Sequence, residues 1–103
     1  MNRYRIAIFA SGEGSNAENI TNYFKGDDAI NVVLIISNRA DVGVIRRAKK
    51  LKVPYLISSR DKLNSIKFLK FLEQENINII ILAGFILKIP IHLITAFAHR
   101  IIN

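Results

Sequence analysis

The apolar run Ile6-Ala7-Ile8-Phe9-Ala10 leads without a break into Ser11-Gly12-Glu13-Gly14-Ser15-Asn16. Such a run reads as a strand, Arg5–Ala10, covered on both faces, and closely spaced glycines end it in a tight turn. Asn16–Lys25 then places Ala17, Ile20, Tyr23 and Phe24 on one helical face, with Gly26 as the stop. Strand, glycine turn and helix in that order confine the chain to α/β architectures. They also set the first N–H groups of a helix where an anion can reach them. Those groups lack intrahelical partners and lie at the positive end of the helix dipole. The loop therefore reads as a seat for a phosphorylated ligand.

The alternation continues to the end of the chain. Ile30–Ser37 is a β-branched run, Val42–Lys52 a helix with Val44, Ile45, Ala48 and Leu51 inward, and Pro54–Ser58 a short strand. Asp61–Glu75 is predicted as one helix with Leu63, Ile66, Leu69 and Leu72 on one side, followed by the strand Ile77–Ala83. Pro90 suits the first turn of a helix carrying Ile91, Ile94 and Phe97, and Arg100–Asn103 begins another strand. The prediction is a Rossmann-like α/β three-layer sandwich around a mostly parallel sheet with right-handed crossovers. Ligands bind at the carboxyl ends of such strands: here Ala10-Ser11-Gly12, Ser37-Asn38, Ser58-Ser59, Ala83-Gly84-Phe85 and Asn103.

A chain of 103 residues makes one small domain. It closes on Ile101-Ile102-Asn103, apolar and without a polar tail. The expectation is that residues 1–103 are the N-terminal part of a longer domain, truncated inside a strand. The edge so exposed would favour self-association.

A net charge of +7 allows a nucleic-acid partner. The basic residues are scattered, however, apart from Arg46-Arg47-Ala48-Lys49-Lys50-Leu51-Lys52. That cluster is the polar face of a helix and has no interleaved aromatics for base stacking. The absence of cysteine excludes disulfides, thiolate metal sites and Cys nucleophiles. Arg3 and Arg5 precede an apolar run too short for a signal peptide, which needs about 7–15 residues. No stretch reaches the ~20 apolar residues of a membrane span. A soluble, cytoplasmic protein without a membrane partner is expected; a nucleic-acid patch on Arg46–Lys52 is the lesser reading of the cluster, and a non-catalytic basic interaction module stays open as the second alternative to an enzyme.

Gly12, Gly14 and Ala17 fit the dinucleotide fingerprint G-x-G-x-x-G/A. An NAD site would close the second strand on an acid, whereas this strand ends Ser37-Asn38-Arg39, with Asp41 late. That ending suits a 2′-phosphate, so an NADP domain, another phosphorylated ligand and a ligand-free turn all remain open. Ser11 and Ser15 lack the G-x-S-x-G setting of a nucleophile. His92 and His99 stand one heptad apart on the last helix, where solvated or capping roles suit them better than a metal or catalytic pair. Glu13 reads as an exposed turn residue, since a general base there would repel the phosphate.

Ser11-Gly12-Glu13-Gly14-Ser15-Asn16, Ser37-Asn38-Arg39-Ala40-Asp41, Leu82-Ala83-Gly84-Phe85 and Ile101-Ile102-Asn103 together resemble the N-terminal half of the phosphoribosylglycinamide formyltransferases, folate-dependent enzymes of purine synthesis. Order and spacing match across essentially the whole chain. Relatives that formylate initiator tRNA or deformylate formyl-folate share the fold but open on a different loop.

The resemblance implies that Gly14, Ser15 and Asn16 hold the substrate's ribose phosphate. It implies that Ile86, Leu87, Lys88 and Ile89 line the pocket of the co-substrate 10-formyltetrahydrofolate, partly through backbone groups. Leu87 stands where many members carry Arg. Asn103 becomes the first catalytic residue, its amide donating to the oxyanion formed as the substrate amine attacks the formyl carbon. In the family a His two residues further on supplies the acid, and a later Asp tunes it. His92 and His99 do not match that position, so these 103 residues are expected to be inactive alone. No metal is implied.

Overall fold

The computed structural model describes residues 4–40 and 43–103. Asp41 and Val42, the latter assigned above to a helix start, lie outside the described residues, as does Arg3. The elements run β1 (Tyr4–Ala10), α1 (Ser15–Tyr23), β2 (Ile30–Ser37), α2 (Gly43–Leu51), β3 (Tyr55–Ile57), α3 (Arg60–Leu63), α4 (Ile66–Gln74), β4 (Ile79–Ala83), α5 (Ile91–Ala96) and β5 (Ile101–Ile102). The strands form one five-stranded sheet in the order β3-β2-β1-β4-β5. Every pairing is parallel.

β1 lies at the centre, in register from Ile8 to Ala10 with Ile35–Ser37 on one side and Ile81–Ala83 on the other. Its residues alternate between two cores. Ala7 and Phe9 pack with Leu34, Ile36, Leu63, Phe68, Leu72, Leu93 and Phe97. Ile6, Ile8 and Ala10 pack with Ala17, Ile35, Val44, Ile45 and Ala48. Helices α1 and α2 thus cover one face and α3, α4 and α5 the other, the expected three layers. The chain winds outward from β1 through β2 to β3 and then returns to β4 on the opposite side. The crevice between the carboxyl ends of β1 and β4 is the topological switch point, where such sheets bind ligands.

The segment predicted as one helix from Asp61 to Glu75 is two. Ser65 caps α4 by accepting the Phe68 N–H at 3.2 Å, and its own hydroxyl donates to the Lys62 carbonyl at 2.7 Å. This rotation turns Phe68 inward, 3% exposed, and leaves Ile66 outside at 55%. Ile66 was expected on the inner face; the local cap outweighs the apolar spacing that runs through it. Tyr23, also expected inward, is 81% exposed, because α1 ends there and only Ala17 of the helix is buried. In α5 the buried residue is Leu93, while Ile91 and Ile94 face out; Pro90 is the cap before the helix, not its first residue. Among the described residues no helix is long and apolar enough to cross a membrane.

Candidate active site

The glycine loop takes its shape from its neighbours. Gly12 and Gly14 have φ of 75° and 79°, in the left-handed region that favours glycine. Gly14 caps α1 with no side-chain hydrogen bond to the helix start. The amide of Glu18 closes the first turn onto the Gly14 carbonyl at 2.9 Å. Ser15 and Asn16 are exposed at that turn, so the early N–H groups of α1 open at the mouth of the crevice.

The loop is held from behind by α2. A Cβ on Gly14 would lie 2.6 Å from Val44 Cα, and one on Gly43 would lie 2.7 Å from the Glu13 carbonyl oxygen. Arg47 Nε donates to that carbonyl oxygen at 2.7 Å. The Arg47 guanidinium is also ion-paired to Glu18 and lies 4.0 Å from the Glu13 carboxylate, while Lys50 reaches Glu18 at 3.2 Å. The hydrogen bond from Arg47, followed by that from Lys50, holds the Glu18 carboxyl below its ordinary range. Part of the basic cluster on α2 is therefore a brace for the loop as well as a solvated face.

From the front, Ser11 joins three strand ends. Its hydroxyl donates to Asn38 Oδ1 at 2.5 Å and accepts the Ile86 N–H at 3.3 Å. That hydroxyl is committed to structure, which disposes of it as a nucleophile. Ser37 is fully buried, its hydroxyl paired with the Arg39 backbone at 3.2 Å. Of the three residues at the strand end that suited a 2′-phosphate, Ser37 is thus turned away from solvent, whereas Arg39 is exposed.

Asn16 and Asn103, 87 positions apart in sequence, line one open cleft of about 630 Å³. Ile81–Gly84 and Ile102 line it together with Asn19, Ile20 and Tyr23 of α1 and Phe24 just past that helix. The structure thus puts Asn16, one of the three predicted phosphate-binding residues, in one cleft with Asn103, the predicted catalytic residue; Gly14 and Ser15 do not line it. Ile86–Ile89 lie just beyond, past the left-handed Gly84 at φ 72°. Leu87 and Ile89 pack on the core, whereas Ile86 is 70% exposed and Lys88 is exposed. Lys88 and Ile89 line a second cleft of about 360 Å³ with Arg60, Asn64 and Ile94. The Ile86 N–H is already taken by Ser11, so backbone groups of that segment available to a ligand exclude it.

His92 and His99 do not share a helix face, because α5 ends at Ala96 and His99 sits beyond it in a left-handed turn, φ 64°. Neither lines the Asn16–Asn103 cleft. Among the described residues no three His, Asp or Glu side chains gather as a metal site.

The formyl transferase family profile matches residues 4–103. The chain belongs to the formyl transferase family. It is 31% identical over 109 residues to a chloroplastic phosphoribosylglycinamide formyltransferase of Arabidopsis thaliana, covering 98% of the chain and 37% of that protein. It is 27% identical to the phosphoribosylglycinamide formyltransferase of Haemophilus influenzae, of which it covers 50%. The crystal structure of glycinamide ribonucleotide transformylase 1 from Geobacillus kaustophilus superposes with a TM-score of 0.85 at 31% identity, covering 97% of the chain and 56% of that structure. The chain spans about half the length, or less, of these relatives. A formyltetrahydrofolate deformylase from Pseudomonas putida, 20% identical with a TM-score of 0.81, shares the fold.

Signals for Gly43, Arg47 and the Ser11–Asn38 pair were faint in the sequence. Gly43 precedes the apolar face of α2 as a helix-start residue would. Nothing in the run Arg46-Arg47 distinguishes the residue that turns toward the loop.

Proposed function

We propose that this chain is the N-terminal, phosphate-binding part, residues 1–103, of a phosphoribosylglycinamide formyltransferase domain. The observation that carries the reading is the shared cleft of Asn16 and Asn103, between the start of α1 and the carboxyl ends of β4 and β5. Gly14, Ser15 and Asn16 hold the substrate's ribose phosphate on the first turn of α1, where helix N–H groups and dipole favour an anion. Ile86, Leu87, Lys88 and Ile89 border the pterin-bearing co-substrate, 10-formyltetrahydrofolate; Leu87 contributes apolar contact and no charge.

The substrate amine attacks the formyl carbon. The bond from that carbon to folate N10 then breaks, and the proton lost by the amine is returned to that nitrogen. The Asn103 amide donates to the oxygen that gains negative charge between these events, a contribution of about 10²–10³ in rate for a well-placed donor. On this reading the acid that the leaving nitrogen needs comes from outside these residues; that neither histidine lines the cleft supports it. The 103 residues by themselves are therefore expected to bind phosphate and transfer no formyl group. Both reactants are charged, water-soluble molecules, and the cytoplasm is the compartment proposed. Any pairing of two copies is placed at the β5 edge, where Ile102 is 52% exposed.

The test is titration of the chain with glycinamide ribonucleotide, followed by amide NMR. Shifts centred on Gly14–Asn16 are expected. Their absence at millimolar ligand sinks the assignment.

A further inference from the structure

The loop that faces the ligand is flanked by two carboxylates. Glu13 immediately precedes Gly14, and Glu18 lies in the first turn of α1. Both would repel a phosphate dianion, and an acid in a first helical turn also competes for the positive end of the dipole. Glu18 is 14% exposed in its side chain, whereas Glu13 is 77% exposed. The cations that answer them come from a different element: Arg47 and Lys50 are successive-turn neighbours on α2, and both reach Glu18. The four side chains sum to zero charge. Arg47 alone adds a hydrogen bond to loop backbone, at the Glu13 carbonyl. Side-chain length matters there, since Gly43 and Gly14 let α2 come within backbone contact of the loop.

We propose that Arg47 is a positioning residue for phosphate binding: it cancels the Glu13–Glu18 charge and fixes the Glu13 carbonyl, so that the Gly14–Asn16 turn can accept a dianion. It does not touch the ligand, which sits on the far side of the loop. The inference rests on the phosphate reading given above.

The experiment measures Kd for ribose 5-phosphate by amide shifts in the wild-type chain and in Arg47→Met, Arg47→Met/Glu18→Gln and Lys50→Met, each checked for its fold by circular dichroism. Arg47→Met is expected to raise Kd on the order of tenfold at low salt, the scale of one uncompensated charge near a partly exposed anion site. The loss should shrink at 0.5 M salt as screening shortens to a few ångströms. Glu18→Gln in the same chain should recover most of it, which a purely mechanical brace would not permit. Lys50→Met leaves the Glu13 carbonyl contact intact and should give a smaller loss of the same salt dependence; it stands in should Arg47→Met fail to fold. Wild-type affinity in a folded Arg47→Met overturns the proposal, as does a double variant no better than Arg47→Met; should Arg47→Met not fold, wild-type affinity in Lys50→Met overturns it. A wild-type chain whose Gly14–Asn16 amides do not respond overturns the phosphate reading itself.

Discussion

Gly14 and Val44 meet backbone to backbone: a Cβ on the glycine would lie 2.6 Å from the valine Cα and 2.7 Å from its Cβ. This contact sets the loop at the switch point in two ways at once. It fixes the separation of α1 from α2, and it needs the left-handed φ of 79° that points the α1 N–H groups outward.

Gly14→Ala should therefore be costly on both counts. The left-handed backbone adds about 1–2 kcal/mol for a residue with a Cβ, and the collision with a buried helix adds about 1–3 kcal/mol of overpacking. Gly12 has the same backbone, φ 75°, with open space around it. Gly12→Ala should thus show only the first cost. Urea denaturation midpoints of the pair separate the two; equal losses would show that packing on Val44 contributes nothing.

A second expectation concerns Ser11, which joins the ends of β1 and β2 to the turn after β4. Ser11→Ala removes both bonds and should destabilise by about 1 kcal/mol, since water can replace part of what is lost at a partly exposed site. The local effect is the sharper readout. Exchange protection of the Ile86 amide should fall while that of Ile8 in the central strand follows only the global change. Unaltered Ile86 protection would mean that the hydroxyl does not hold the turn.

The parallel sheet and the glycine loop were readable because each rests on short-range chemistry: β-branched runs, helical spacing, and turns that demand glycine. The same periodicity misled where a side chain competed with it. Leu63, Ile66, Leu69 and Leu72 keep helical spacing, yet Ser65 breaks the helix by binding the Phe68 N–H. In α5 six residues are too few for spacing to choose a face, so Leu93 rather than Ile94 went inside. At the site, the left-handed turn at Gly12 and Gly14 was legible from its motif. The role of Arg47 was not, because the contact joins residues 34 positions apart and depends on how α2 packs.

That misreading gives a third test. Phe68 is 3% exposed, and its ring lies edge-on to Phe9 with centroids 6.2 Å apart. Phe68→Ala should cost about 3–5 kcal/mol through lost burial and the cavity left behind. Ile66→Ala, at a residue 55% exposed, should change stability by no more than about 0.5 kcal/mol. Thermal unfolding of both variants decides between the capped break at Ser65 and one continuous helix, which would reverse the order.

The last prediction concerns acid. Glu18 has its carboxyl held below the ordinary range of a glutamate, first by the Arg47 hydrogen bond and then by that of Lys50. A carboxyl whose folded-state pKa is depressed binds its proton more weakly in the folded chain than in the unfolded one. It therefore contributes stability above the unfolded value, and that contribution is lost as pH falls through the folded one. The window here lies below about pH 4.5. Stability of the wild-type chain should drop there with a slope that Glu18→Gln flattens, and the two curves should converge at the acid end. Because Arg47 and Lys50 share the pair, Arg47→Met should flatten the slope more than Lys50→Met, in the order of their contributions. High salt should reduce all these differences, since the ion pairs lie near the surface. Parallel curves for wild type and Glu18→Gln down to pH 3 would show that the network around the loop does not couple to folding.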